Sequence, residues 1–331
     1  MALRLIEMIL TEKDGGKVGE LLKDHKLLEH RQVRLSEGEV LVRILLDAEQ
    51  TEPVLDLLEQ RYAPGEGNRV VILPVEATLP RPEPETDTAP EQSPSEKKLP
   101  ERIAREELYE DIRDAARCSK VYLAMVVLST IVAAIGLYYN SVAIIIGAMV
   151  MAPLLGPNVA LSLGTALGDL QLLRRALLTN LAGIATTIAL SVIIGTLLQV
   201  DPESPEMASR ISVGPGDIVV ALASGCAGAL AFTAGASSAV IGVMVAVALL
   251  PPLVTFGLLT GGGHMESAIG ALSLFLVNLI CVNLAGVTTF LAQGIRPTTW
   301  WEKDRAAKAT RIAIGLWTAL LALLVGLIAL L

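Results

Sequence analysis

The residues with most to say about chemistry are prolines and asparagines set inside apolar runs. Pro153 and Pro157, with Asn158 next in line, interrupt one run, and Pro251 and Pro252 interrupt another. Proline lacks a backbone N–H and leaves a carbonyl of the preceding turn without its helical partner. In a membrane such a break is tolerated where it is buried in protein or lines a wet cavity. Matched breaks in two halves of a chain point to the binding site of a transporter. The amides of Asn158, Asn180, Asn278 and Asn283 stand in the same apolar runs. Amide and freed carbonyl oxygens suit a cation, and half-helix N-termini suit an anion or polar solute. The competing role for any single asparagine is to hydrogen-bond one helix to another.

Other chemistries find little support. No acidic or basic residue lies near the middle of an apolar run, which weighs against a carboxylate proton relay. There is no HExxH, no nucleophile–base pair and no intramembrane carboxylate pair, so no enzyme, catalytic residue, metal site or cofactor is expected. Cys118, Cys226 and Cys281 are far apart and odd in number, and read as packing residues. The net charge of −8 comes mainly from the N-terminal part and leaves no basic face for nucleic acid.

The elements that must position these residues follow from the distribution of charge. Of 331 residues 53% are hydrophobic and 18% charged, and mean hydropathy is +0.58, too apolar for an ordinary soluble domain. Charges crowd into the first 120 residues, the loops after Asp169 and Asp201, and the stretch from Arg296 to Arg311. The remainder predicts about seven membrane-spanning helices, at 121–139, 141–167, 175–199, 214–234, 237–260, 267–293 and 312–331. Arg113, Arg117, Lys120, Arg174, Arg175, Lys303, Arg305 and Arg311 flank one set of span ends, while the opposite loops are acidic or neutral. The positive-inside rule then places the N-terminus in the cytoplasm and the C-terminus outside the cytoplasmic membrane, with Trp300 and Trp301 as interfacial anchors.

An internal duplication organises the spans. G-A-M-V-M-A-P-L-L-G-P begins at Gly147 and G-V-M-V-A-V-A-L-L-P-P at Gly242, an offset of about 95 residues that also aligns Leu154 with Leu249 and Pro157 with Pro252. Gly147 and Gly242 are candidate hinge glycines of the two copies. N-L-A-G-I-A-T-T from Asn180 is echoed by N-L-A-G-V-T-T from Asn283. The copies, about 121–199 and 214–293, hold three spans each, so the second enters the membrane the other way up. The layout is a 3+3 inverted repeat plus one helix, 312–331.

The N-terminal segment, 1–76, reads as β-α-β-β-α-β, an α+β ferredoxin-like domain. Two helices would cover one sheet face and leave the other free, either to assemble copies or to sense a small-molecule ligand. A homo-oligomer is expected on that ground. Residues 77–100, with Pro80, Pro82, Pro84, Pro90 and Pro94, read as a disordered linker. Residues 101–120, with Ile103, Leu108, Ile112 and Ala116 on one side, read as an amphipathic interfacial helix or a solvated connector.

R-V-V-I-L-P-V-E-A-T-L-P (Arg69 to Pro80), N-S-V-A-I-I-I-G-A-M-V-M-A-P-L-L-G-P (Asn140 to Pro157) and V-A-L-L-P-P-L (Val247 to Leu253) resemble the prokaryotic membrane proteins called domain of unknown function 389. The resemblance covers nearly the whole chain. It implies fold and location but no activity and no catalytic residues. The three-plus-three-plus-one layout also looks like the trimeric intracellular cation channels, in architecture alone. The reading that results is a transporter or channel for a small ion or polar solute, regulated by the soluble domain, with the bilayer and that solute as partners. The other reading is a non-transporting sensor or scaffold.

Overall fold

The computed structural model describes residues 3–35, 38–62, 69–75, 78, 103–235 and 238–295, with single positions 315, 318, 319, 322 and 326. Between 238 and 248 it describes the backbone. Trp300 and Trp301, most of the expected last helix 312–331, and all of the expected linker 77–100 but residue 78 lie outside the described residues. Two compact units are present, Met1–Leu108 and Tyr109–Leu331.

In the first unit the chain runs β1 (Leu3–Thr11), α1 (Glu12–Leu21), β2 (Glu29–Arg34), β3 (Glu39–Asp47), α2 (Ala48–Tyr62), β4 (Val70–Val75). The strands form one sheet in the order β2-β3-β1-β4, every neighbouring pair antiparallel. Alternation fixes the register, because a slip of one residue would turn every apolar side chain to the wrong face. Ile6, Met8 and Leu10 of β1 and Val40, Val42, Ile44 and Leu46 of β3 are buried. They pack with Val18 of α1 and Val54, Leu55, Leu58 and Tyr62 of α2 in a single core. The opposite face stays open: Ile9 and Val33 are each 46% exposed and Val71 44%. In the first turn of α2 the Thr51 hydroxyl donates to the carbonyl of Asp47 (3.2 Å) and helps close that turn.

The second unit is helical. The expected helix 101–120 is instead α3 (Arg105–Ala115), ending before a new start at α4 (Lys120–Tyr138). The new start has a local cause, since the Ser119 hydroxyl accepts from the Tyr122 amide (3.0 Å) as an N-cap. Ile112 and Ala116 are fully buried, and the carbonyl of Ala116 accepts from Thr179 (2.9 Å). After α4, Asn140 adopts φ +52 and turns the chain into α5 (Val142–Met151). Then come α6 (Leu155–Leu167), α7 (Leu170–Leu197), the short α8 (Pro205–Ala208), α9 (Pro215–Thr233), α10 (Ser238–Gly261) and α11 (Met265–Ala292).

Four of these helices, α4, α7, α9 and α11, are long and apolar enough to cross a membrane; the α5–α6 pair, bent by 52° at its break, passes the same test together, as a broken span or a re-entrant loop. This is a multi-pass membrane protein with a small antiparallel sheet at its N-terminal end. α10 is a further helix of 24 residues, packed on α7, α9 and α11. Its described half contributes Leu249, Leu250, Leu253, Val254 and Leu258 to the core of the bundle.

The expectation of matching breaks meets a correction. The α5–α6 break is present, and Pro153 explains it. A residue before proline is pushed out of the helical region, and Ala152 sits at φ −73, ψ 118. Pro157 falls in the first turn of α6, where its missing N–H would have had no helical acceptor. α10, by contrast, runs without interruption through Pro251 and Pro252. The offset that aligns Pro157 with Pro252 puts Ala248 opposite Pro153, so the break-making proline has no counterpart.

Tight helix seams replace it. A side-chain carbon added at Gly195 of α7 would strike the Leu258 carbonyl, one at Gly257 the Ser191 hydroxyl, and one at Gly261 the Val192 carbonyl. This is small-residue packing of the kind that lets membrane helices touch backbone to backbone. Gly147, in contrast, faces open space, so its small size serves no contact within the unit. Gly257→Val should therefore cost about 1–3 kcal/mol, as overpacking does, whereas Gly147→Ala should cost nothing. Thermal unfolding of the two variants in detergent measures the difference.

Candidate functional site

Three asparagines from three helices meet beside the break. Asn158 lies in the first turn of α6, Asn180 in α7 and Asn283 in α11, with exposures of 1%, 3% and 0%. The Asn158 side-chain nitrogen donates to Asn180 Oδ1 (3.1 Å) and to the carbonyl of Leu154 (2.7 Å). Asn158 Oδ1 accepts from Asn180 Nδ2 (3.3 Å) and from Asn283 Nδ2 (3.0 Å). The side chain of Asn158 thus gives both its hydrogens and uses both its lone pairs. Asn283 also donates to the Leu279 carbonyl (2.8 Å). Ser162, one turn beyond Asn158, brings its hydroxyl within reach of the Asn158 carbonyl (3.1 Å), the Asn283 carbonyl (3.2 Å) and Asn283 Oδ1 (3.4 Å).

The two N-L-A-G segments do the same local work. In each, the asparagine joins the cluster and the glycine makes room for a hydroxyl-bearing side chain from another helix. The Tyr122 hydroxyl lies against Gly183 and donates to the Thr179 carbonyl (3.2 Å), and Ser162 lies against Gly286.

Two other expected residues meet elsewhere. Pro252 and Asn278 line a cavity of about 170 Å³, together with Ser209, Arg210, Asp217, Val220 and Leu274. Arg210 pairs with Glu206 (2.9 Å), and the Asp217 carboxylate accepts from the Gly214 amide (2.8 Å) at the start of α9. The cavity therefore combines a buried amide, 6% exposed, with a cation and an anion at its rim. Pro251 is buried next to Pro252, Gly147 faces open space, and of Gly242 the backbone alone is described. Ser162, Tyr122, Arg210 and Asp217 were not singled out from the sequence. Ser162 carried a usable signal, four residues beyond Asn158 on the same helix face. Arg210 and Asp217 carried none, being loop and cap residues far along the chain from Asn278.

Among the described residues no group of three or more His, Cys, Asp or Glu is placed to hold a metal ion. The three cysteines are separate free thiols, with Cys118 exposed and Cys281 buried.

An apolar helical bundle with one bent span, a buried amide cluster and a small N-terminal sheet defines a multi-pass membrane protein. The chain belongs to the family described as domain of unknown function DUF389, whose model matches residues 149–284. It is 42% identical over 279 residues to an uncharacterized protein of Methanocaldococcus jannaschii, covering 84% of each chain. No solved structure matches it. The family match spans the break, all three clustered asparagines and both prolines of α10.

The cluster's geometry ranks its members. Asn158→Ala strands groups on Asn180, Asn283 and Leu154, while Asn180→Ala strands groups on Asn158 alone. The first should cost about 1–3 kcal/mol and the second less. Unfolding of the purified variants in detergent checks the order, and a larger loss for Asn180→Ala would contradict it.

Proposed function

We propose that the protein is a transporter or channel for a small ion or polar solute, with its path crossing the bundle at the asparagine cluster. The observation that carries this is the convergence of Asn158, Asn180 and Asn283 on a helix break inside an apolar bundle. The first turn of α6 directs its positive dipole end at the same place, which favours an anion or the negative end of a polar solute. Amide oxygens offer the alternative of a partly dehydrated cation. Asn278, in the cavity wall, is on the same helix as Asn283, five positions earlier, about 7.5 Å of helix rise. We take the cavity as an outer vestibule of the same path.

The finer architecture belongs to the same proposal. α10 and the segment 312–331 complete seven spans in the 3+3+1 inverted repeat. Asn180 and Asn283, from equivalent spans of the two copies, meeting on one residue supports that relation. The β-α-β-β-α-β order and antiparallel β2-β3-β1-β4 sheet support a ferredoxin-like domain on the cytoplasmic side. That domain would regulate flux, and the protein would act as a homo-oligomer.

The test is flux through the full chain in liposomes, using potassium, sodium, chloride and small polar solutes against empty vesicles. Wild type should conduct at least one of them. Pro153→Ala, which removes the break, and Asn158→Ala should each lower that flux by about tenfold or more. Pro157→Ala, in a first turn, should change it little. Flux unaltered by both Pro153→Ala and Asn158→Ala would refute the path.

A second reading, a sensor that signals through its soluble domain, is favoured by one observation. The sheet face not covered by helices exposes Ile9, Val33, Val71 and Leu73, a surface suited to a ligand or partner. Deleting residues 1–76 separates the two readings. A transporter keeps part of its flux without the domain, whereas wild-type and truncated protein that both fail to move any solute leave the sensor.

A further inference from the structure

A second cavity lies at the start of α7. It measures about 200 Å³ and is lined by Tyr109 and Arg113 of α3 and by Gln171, Leu172 and Arg175 of α7. Its charge is carried by the two arginines. Arg113 shares its guanidinium with Glu110 on its own helix (2.9 and 3.1 Å), and that pair is solvent-exposed. Arg175 is half-buried and has no ion-pair partner among the described residues. A carboxylate beside the cavity, Asp169, is already spent: it accepts from the Tyr109 hydroxyl (2.7 Å) and from the amides of Gln171 and Leu172 (2.8 and 3.0 Å). The same bonds close the start of α7, so its amides are not the anion site. The tyrosine is held neutral, its pKa pushed up to about 12 by burial and the bond to Asp169.

What stands above the arginines identifies the guest. Leu178 follows Arg175 by three positions and Gln171 by seven, so all three share one face of α7. Leu178 is 56% exposed and Leu181 52%, an apolar strip that continues from the basic cavity toward the middle of the span. Two guanidinium groups at a span end, with exposed leucines directly above, match a phosphate headgroup and its acyl chain. We propose that this cavity binds the phosphate of an anionic phospholipid, with Arg113 and Arg175 holding the headgroup and Leu178 and Leu181 bordering the chain. The inference is independent of whether the protein transports anything.

The full chain, titrated in detergent with phosphatidylglycerol and with phosphatidylcholine and read by native mass spectrometry, tests the site. One phosphatidylglycerol should be retained in preference to phosphatidylcholine. The double variant Arg113→Gln/Arg175→Gln should weaken it by about fivefold for each arginine removed. Arg174→Gln removes the same charge from an exposed neighbour outside the cavity and should leave affinity unchanged. Unfolding midpoints confirm that the variants fold. Should the double variant fail to fold, Arg175→Gln, which has no ion pair to lose, carries the measurement alone. Equal binding of the two lipids overturns the proposal, as does full retention in the arginine variants. An equal loss in Arg174→Gln would show diffuse surface attraction instead. Displacement of the lipid by inorganic phosphate would show a site for the free anion.

Discussion

A helix that stops and restarts inside the bilayer exposes backbone groups that hydrocarbon cannot satisfy. The last carbonyls of α5 and the first amides of α6 meet at a break of this kind within an apolar helix pair, and neighbouring helices pack around it. Ala152, Leu154, Leu155 and Asn158 are buried rather than turned to lipid. The Ala152 amide returns to the Met149 carbonyl (3.2 Å), and Asn158 ties its side chain to the Leu154 carbonyl. α7 and α11 then close over the break, each contributing one asparagine. Burial of the break and convergence of the amides are one feature seen from two sides.

Such closure needs helices that approach at backbone distance, because apolar side chains gain little by leaving lipid for each other. The glycines supply it. Gly225 of α9 sits on the backbone of Val282 in α11, Gly156 on that of Ala115, and Gly195, Gly257 and Gly261 form the α7–α10 seam. A bundle held by these contacts has few compressible side chains at its joints. Displacement of α6 would therefore be resisted by backbone, except at the break, where no continuous helix transmits it.

Much of this was legible in the sequence, for identifiable reasons. The first unit's order could be read because alternation in 3–11 and 39–47 is strict and both faces differ in polarity. Asn180 and Asn283 stood out because an amide in an apolar run is unusual and the N-L-A-G context repeats. Two things were not legible. Paired prolines in α10 looked like a second break, but what breaks the first copy is Pro153 acting on Ala152, and an alignment drawn through Pro157 and Pro252 hides that Ala248 stands opposite it. Arg210, Asp217 and Arg175 are ordinary loop, cap and span-end residues in one dimension. Their roles arise from which helices the fold sets side by side.

The two repeated sequence segments are alike in part and unlike at the asparagine cluster. Asn180 and Asn283 are matched, and so are Gly183 and Gly286, but the residue on which both asparagines close is present once. At the offset of the repeat, Asn158 is matched by Leu253, fully buried in the apolar core. The break is likewise present once. A solute path that relied on symmetric exchange between two equivalent half-sites would need both in duplicate. With one break and one central amide, the polar cluster is built around α6, and α7 and α11 each contribute a single amide to it. The helix that carries both singular features is α6, whose first turn holds Asn158 and whose connection to α5 is bent by 52° at Pro153.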